Sequence, residues 1–168
     1  LIDGHSILNR AFYGVPNLTN SEGLHTNAVY GFLNILFKVL DEEKADYLAV
    51  AFDLKAPTFR HKMFDAYKGT RKPMPEELHE QVPLMKEVLT AMGVPILTKE
   101  GYEADDILGT IAKREQKDGY EVTILSGDRD LLQLSDTHIR ICLPKTSRGT
   151  TEVHNYYPED VIREYQVT

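Results

Sequence analysis

The chain alternates between short, nearly continuous apolar runs and segments with helical spacing. The runs cover residues 1–2, 47–52, 95–97, 122–125 and 139–143. Strands buried on both faces of a parallel sheet read as continuous apolar runs, whereas half-exposed strands alternate in polarity. We therefore predict buried strands at these five places, the first of them visible only by its end.

Helical spacing fills the segments between the runs. Val29, Phe32, Leu36 and Val39 recur every three or four residues and form one apolar stripe. Residues 104–117 show the same spacing, and the glycine that follows at 119 is a plausible stop. Both segments are predicted to be amphipathic helices.

Prolines mark further helix boundaries. Pro75 and Pro158 are each followed by two acidic residues, which is typical of the first turn of a helix. Pro83 is expected to break or restart a helix over 76–92. Strands that alternate with helices predict an α/β fold with a mostly parallel central sheet and helices on both faces, in a single domain over residues 1–168.

Charge is distributed unevenly. The net charge of −7 argues against a nucleic-acid partner. Residues 55–72, however, contain six lysines and arginines and one aspartate, a local net of +5. We call residues 55–72 the basic segment. The net charge of the whole chain conceals this basic segment, so it does not exclude a nucleic-acid partner.

Cys142 and the lack of long apolar runs point to a reducing, aqueous compartment. A single cysteine cannot form an internal disulfide, and Cys142 lies in an apolar run, which favours a core position. No run approaches the roughly 20 apolar residues that a membrane span needs. We expect a cytoplasmic protein without membrane contact.

Acidic side chains follow the predicted strands at the point where each strand ends. They are Asp3, Asp53, Glu103, Asp105, Asp106, Asp128 and Asp130. Ligands of open α/β sheets bind at the carboxyl ends of the strands. Clustered carboxylates repel one another unless a cation compensates them, and oxygen ligands suit hard divalent ions. The pattern predicts a site for one or two such ions, a pair of which can cleave a phosphodiester.

The same acids have ordinary structural interpretations. Aspartate after a strand is common as a turn residue or helix cap, and this applies to Asp3 and Asp105 in particular. The histidines show no metal-ligand spacing such as His-Glu-x-x-His, although His5 could approach the site. The prediction of a metal site therefore depends on the finding that acids follow four separate predicted strands.

Five motifs together resemble the amino-terminal 5′→3′ exonuclease domain of bacterial DNA polymerase I, a member of the flap endonuclease group with a PIN-like core. They are Leu-Ile-Asp-Gly-His-Ser at 1–6, Ala-Phe-Asp-Leu-Lys-Ala-Pro-Thr-Phe-Arg at 51–60, Tyr-Lys-Gly-Thr-Arg at 67–71, Gly-Tyr-Glu-Ala-Asp-Asp at 101–106 and Ser-Gly-Asp-Arg-Asp at 126–130. The resemblance extends over essentially the whole chain.

The resemblance implies roles for named residues. The seven acids would hold Mg²⁺ or Mn²⁺ directly or support the residues that do. Tyr67, Lys68 and Arg71 would lie at the base of an arch over the site, where Lys68 and Arg71 contact the scissile phosphate and Tyr67 stacks on a terminal base. The remaining DNA-binding candidates are Arg10, Arg60 and Lys72. A solvated basic loop, and a surface salt bridge for Arg10, are the structural alternatives.

The resemblance also implies partners and missing parts. The substrates would be DNA with a 5′ flap or nick and RNA primer–DNA hybrids, handled by a monomer in the bacterial cytoplasm at the nucleoid. The family carries a further Gly-Asp-x-x-Asp-Asn motif and a helix-hairpin DNA-binding lobe, which these 168 residues lack. We therefore expect the second of two metal sites to be short of ligands and the chain alone to be weakly active or inactive.

Three other functions stay open at this point. A stand-alone 5′ nuclease would share the motifs, and a PIN-type ribonuclease would share the acidic rim. A nucleic-acid binding module without catalysis is the alternative from another class. A Rossmann nucleotide-binding domain is disfavoured, because no Gly-x-Gly-x-x-Gly opens the first helix.

Overall fold

A six-stranded sheet organises the residues that the computed structural model describes, which are 1–64, 66–69, 72–147 and 150–167. The strands are β1 (Ile2–Asp3), β2 (Val50–Ala51), β3 (Ile96–Leu97), β4 (Val122–Leu125), β5 (Ile139–Ser147) and β6 (Thr150–Tyr156). Their order across the sheet is β3-β2-β1-β4-β5-β6. All neighbours pair in parallel except β5 and β6, which are antiparallel.

Helices occupy the connections between the strands. They are α1 (Gly4–Gly14), α2 (Asn27–Glu43), α3 (Phe59–Met63), α4 (Glu76–His79), α5 (Gln81–Ala91), α6 (Ala104–Lys117) and α7 (Pro158–Tyr165), with a 3₁₀ helix at Arg129–Leu134. Among the described residues, none of these helices is both long and apolar enough to cross a membrane.

The core lies on both faces of the sheet. One cluster joins α1, α2 and α5 through Phe32 and Leu89 and takes Leu125 from β4. The other joins α6 to the 3₁₀ helix and takes Ile124 from the same strand. Successive residues of a strand point to opposite faces, so the two clusters are the two sides of one sheet. The predicted α/β architecture is confirmed.

Most predicted boundaries agree with the structure. The helix predicted over 104–117 is α6, and Gly119 after it has a φ of +89°, which the missing Cβ permits. The expected break over 76–92 occurs at Glu80 between α4 and α5. Pro83 lies in the first turn of α5, where a missing N–H leaves no helix hydrogen bond unmade.

Two strands differ from the prediction. Only Val50–Ala51 of the run 47–52 forms a strand. This strand pairs with two residues of β1 on one side and two residues of β3 on the other. Strand β6 was not predicted at all. Its sequence Thr-Thr-Glu-Val-His-Asn-Tyr contains no apolar run, and the strand lies at the edge of the sheet, where it pairs with β5.

Candidate metal and nucleic-acid site

Asp3 stands at the centre of the sheet's carboxyl edge. It ends β1, between β2 and β4, and is also the N-cap of α1, since its Oδ1 accepts from the Ser6 N–H at 3.1 Å. Its Oδ2 accepts from the Ser126 hydroxyl at 2.9 Å. The capping interpretation of Asp3 is confirmed, and metal binding stays a prediction, because a capping aspartate can still present carboxylate lone pairs to the edge.

Ser126 connects two of the strand ends. It is fully buried, directly after β4, and its Oγ accepts from the Asp128 N–H at 3.0 Å while donating to Asp3. Ser6 supports the same corner by accepting from the Gly127 N–H at 2.9 Å. Sequence reasoning assigned neither serine a role, although both lie inside the quoted motifs.

Asp53 links the end of β2 to α6. Its Oδ1 accepts from the Ala104 N–H, at the start of α6, at 2.7 Å. Its own N–H donates to Nδ1 of His5 at 3.2 Å, and the His5 ring packs edge-on against Phe52. Burial lowers the pKa of His5, which keeps Nδ1 available as an acceptor. His5 thus approaches the site as a support for Asp53.

Asp105 on α6 faces the strand-end acids. Burial first, and then the charges of Asp3, Asp128, Asp53 and Glu103, raise its pKa to about 7. Burial likewise raises the pKa of Asp3 to about 6, with Asp53 and Asp128 adding to it. We call Asp3, Asp53, Asp105 and Asp128 the acidic cluster. Among the described side chains, no lysine or arginine forms an ion pair with Asp3, Asp105 or Asp128.

Glu103 and Asp106 are paired with bases instead. Arg60 donates to Glu103 Oε2 at 2.9 Å and to both oxygens of Asp106 at 2.7 Å. The Tyr67 hydroxyl donates to Glu103 Oε2 at 2.9 Å, and the Lys68 ammonium binds Glu103 Oε1. Burial alone would raise the pKa of Glu103, but these donors outweigh it and the pKa is lowered. The Arg60 hydrogen bonds are the main cause of the lowered pKa of Asp106.

Asp130 lies apart from the acidic cluster. It is exposed in the 3₁₀ helix, where its N–H donates to Asp128 Oδ1 at 2.9 Å, so Asp128 caps that helix. Its charge is not among those that shift the pKa of Asp3 or Asp105. As the described side chains are arranged, no three histidine, cysteine, aspartate or glutamate residues form a group that could hold a metal ion.

The predicted phosphate-contacting residues have different surroundings. Arg10 has a buried Nε without a hydrogen-bond partner among the described atoms, and its Cδ lies 3.6 Å from where a Cβ on Gly127 would stand. Lys68 has a left-handed backbone, with φ at +58°, and Lys72 is exposed. Arg71 lies outside the described residues.

One protein-family model matches nearly the whole chain. The 5′-3′ exonuclease N-terminal resolvase-like domain matches residues 1–166. The chain belongs to this family. The resemblance drawn from the five motifs is confirmed.

Curated relatives in the family are DNA polymerases I. The chain is 48% identical over 168 residues to that of Bacillus caldotenax and 48% identical over 168 residues to that of Bacillus subtilis. All of the chain is covered in both alignments, and it spans 19% of the length of each relative. The chain therefore corresponds to the exonuclease part of the DNA polymerase I type.

Solved structures show the same fold at lower identity. The T5 D15 protein, co-crystallised with metal ions, superposes with a TM-score of 0.71 at 22% identity, covering 99% of this chain and 60% of that one. The catalytic core of Rad2 in complex with a DNA substrate gives a TM-score of 0.52 at 16% identity, with 99% and 49% covered. The 5′-nuclease fold predicted from sequence is confirmed.

Proposed function

We propose that the chain is a metal-dependent 5′→3′ exonuclease and flap endonuclease domain that hydrolyses phosphodiesters at 5′ ends of DNA. The observation that carries the proposal is the acidic cluster. The ends of β1, β2 and β4 and the first turn of α6 bring four carboxylates together, two of them with raised pKa and no cationic partner among the described side chains. Family membership supports the chemistry.

The donor set fits a hard divalent cation. Burial, and after it the charges of neighbouring carboxylates, raises the pKa of Asp3 and Asp105. A bound cation would compensate these charges, and an all-oxygen site suits Mg²⁺ or Mn²⁺. We propose Asp3, Asp53, Asp105 and Asp128 as the residues that hold it, with Glu103, Asp106 and Asp130 at the margin. Such an ion, when bound, supplies an activated water and stabilises the leaving oxygen.

The basic residues around the cluster supply the phosphate contacts in this proposal. Lys68 binds Glu103, whose charge acts on Asp105 of the acidic cluster, and Arg71 follows it in the sequence. Arg10 has an unused buried donor beside the end of β4. Tyr67 presents a ring for stacking on a terminal base. Lys72 adds positive charge at the end of the basic segment.

The relatives support more specific proposals about substrates and location. We propose 5′-flap and nicked DNA, and RNA primer–DNA hybrids, as substrates in replication and repair in the bacterial cytoplasm. The relatives that support this are DNA polymerases I, whose further length can supply the remaining metal ligands and duplex contacts. We therefore expect cleavage by these 168 residues to be slower than cleavage by a chain of the relatives' length.

The test compares substrates and a carboxylate variant. A labelled 5′-flap DNA, the matching single-stranded RNA and a blunt duplex are incubated with the chain, and with a DNA polymerase I-length version, in Mg²⁺, Mn²⁺ or EDTA. We expect flap cleavage that needs the metal and is lost in Asp105→Asn. Preferential RNA cleavage would favour a PIN-type ribonuclease, and metal-independent cleavage would contradict the proposal.

Nucleic-acid binding without catalysis is the second candidate for the chain by itself. It is favoured because no three potential ligands among the described residues are arranged for a metal ion and because Lys68 is held by Glu103. Flap binding that survives Asp128→Asn, with no hydrolysis by either length of protein, would establish it.

A further inference from the structure

Two described cations of the basic segment bind carboxylates: Lys68 makes one contact with Glu103, and Arg60 makes several hydrogen bonds to two acids. Arg60 donates through Nη1 and Nη2 to the two oxygens of Asp106 at 2.7 Å, and through Nη1 to Glu103 at 2.9 Å. Two-point pairing of this kind fixes the orientation of both planar groups. Because its guanidinium is paired in this way, Arg60 is less free to turn toward a phosphate than the other described bases of the segment.

We propose that Arg60 is a positioning residue, which locks the start of the basic segment onto the first turn of α6, rather than a residue that binds DNA. The inference rests on the proposed nuclease function and deepens it. In this proposal Arg60 holds the start of the basic segment in place, and Lys68 is the residue that contacts the phosphate.

The residues around Arg60 hold it in place on α3. The Phe59 N–H donates to the Gly101 carbonyl at 2.9 Å, and the Phe59 ring packs against that of Tyr102 at 5.6 Å. The Arg60 guanidinium lies 4.5 Å from the centre of the Phe59 ring. Buried Thr58 accepts from its own helix through a capping box with His61. Segment 58–61 is thus tied to segment 101–106 at backbone, ring and charge.

This tie separates the acids of α6 into two groups. Asp106 also accepts from the Glu103 N–H at 3.0 Å, so Arg60 and the capping box use both of its oxygens. Asp105, the neighbouring residue, instead faces Asp3, Asp53 and Asp128. Arg60 therefore compensates the outer carboxylates and leaves Asp105 to the acidic cluster.

The contacts of Arg60 with α6 also affect the positions of the Tyr67 and Lys68 side chains. Both bind Glu103, the second acid that Arg60 contacts, and only a few residues separate them from the end of α3. When Arg60 is lost, α3 loses its ion pairs with Glu103 and Asp106 and keeps the contacts of Phe59 with Gly101 and Tyr102. Lys68 would then be misplaced relative to the cluster, and an error of about 1 Å in a reacting geometry can cost on the order of a hundredfold in rate.

Five variants test the proposal. They are Arg60→Lys, Arg60→Gln, Asp106→Asn, the double variant Arg60→Gln/Asp106→Asn, and Lys62→Gln as the matched control. Lys62 is an exposed base on the same helix, so its loss removes one positive charge without breaking the pair. Three quantities are measured: the affinity for 5′-flap DNA in Ca²⁺ at several salt concentrations, the single-turnover rate at saturating DNA in Mg²⁺, and the unfolding equilibrium constant in EDTA.

Positioning predicts a loss of rate without a loss of affinity. Arg60→Gln should slow the single-turnover step by on the order of a hundredfold, with the affinity and salt dependence of Lys62→Gln. Arg60→Lys should recover part of the rate. The double variant should be no slower than either single one, because contacting residues are not additive.

The opposite pattern would overturn the proposal. If Arg60 contacts phosphate, Arg60→Gln should weaken DNA binding beyond Lys62→Gln, with a salt slope smaller by about one, and the rates should be additive with Asp106→Asn. Changes in the unfolding constant that multiply in the double variant would also contradict it, because independent effects add in free energy. That measurement needs neither metal nor cleavage, so it judges the Arg60–Asp106 pair even if wild-type protein cuts no substrate and the proposed function fails.

Discussion

Ser126 connects two residues of the acidic cluster through its single hydroxyl group. One hydroxyl donates to Asp3 and accepts from the Asp128 N–H, at a fully buried position. The strand-end rule could predict the aspartates, because each follows its own apolar run. It could not predict Ser126 as their connection, since Ser126 and Asp3 are 123 residues apart and nothing local to either indicates the pairing.

Ser126→Ala should lower the free energy of unfolding by about 1–3 kcal/mol, the cost of leaving buried polar groups unsatisfied. Chemical denaturation in EDTA measures it. Ser135→Ala is the control, because the Ser135 hydroxyl is buried without a partner among the described atoms and its removal should cost nothing. Equal losses for the two variants would show that the Ser126 hydrogen bonds contribute little.

Lys68 should act on catalysis more than on binding. In the proposed function its ammonium leaves Glu103 and meets the developing phosphate charge, so Lys68→Ala should lower the single-turnover rate far more than the affinity for flap DNA. Lys55→Ala, which removes one charge from the other end of the basic segment, provides the comparison. An unchanged rate would remove Lys68 from the mechanism.

Helices of this domain are completed by side chains from other elements. The first turn of α2 has no side-chain cap of its own at Thr26. Gln81 of α5 accepts there from the Ala28 and Val29 N–H groups at 2.8 and 3.2 Å, and donates to Asn27 at 3.0 Å. The apolar stripe predicted α2 well. Its cap was not predictable, because it comes from a helix more than fifty residues away.

Gln81→Ala should lower the free energy of unfolding by roughly 1–3 kcal/mol, since it leaves buried donors of α2 without an acceptor. Gln133→Ala is the matched control, because exposed Gln133 donates only within its own turn. Thermal or urea unfolding of the two variants decides the point. A similar, small change in both would mean that water replaces Gln81.

The domain as a whole brings the acidic cluster to one edge of a sheet whose strand order could not be predicted from the sequence. Alternating apolar runs and helices predicted a mostly parallel sheet, and the acids that follow the runs predicted the edge at which they lie. The central position of β1 and the antiparallel β6 depend on pairings between distant segments, which the periodicity of single segments does not encode. The Arg60 contacts on α6 depend on that same packing.

Stability without metal should fall as pH rises from about 4 to 7. The pKa of Asp3 is raised to about 6 and that of Asp105 to about 7, both above the ordinary aspartate value of 3.8. The folded state therefore holds these protons more tightly, and their stabilising contribution is lost as pH rises through the folded values.

Asp105→Asn isolates this contribution, because other titrating groups are shared with wild type. Melting temperatures in EDTA from about pH 4 to 7 should fall more steeply for wild type than for the variant. Adding Mg²⁺ at pH 8 should raise the melting temperature of wild type and do less for the variant. Parallel pH profiles would show that Asp105 keeps an ordinary pKa.

The left-handed backbone at Lys68 affects how the position can be altered. A φ of +58° disfavours most side chains, and β-branched ones most of all, whereas glycine and asparagine accept it readily. Exchanging Lys68 for threonine or valine therefore changes the conformational preference of the turn as well as its charge. Asparagine removes the charge while keeping the turn, so Lys68→Asn separates the charge of this position from its shape and checks the result of Lys68→Ala.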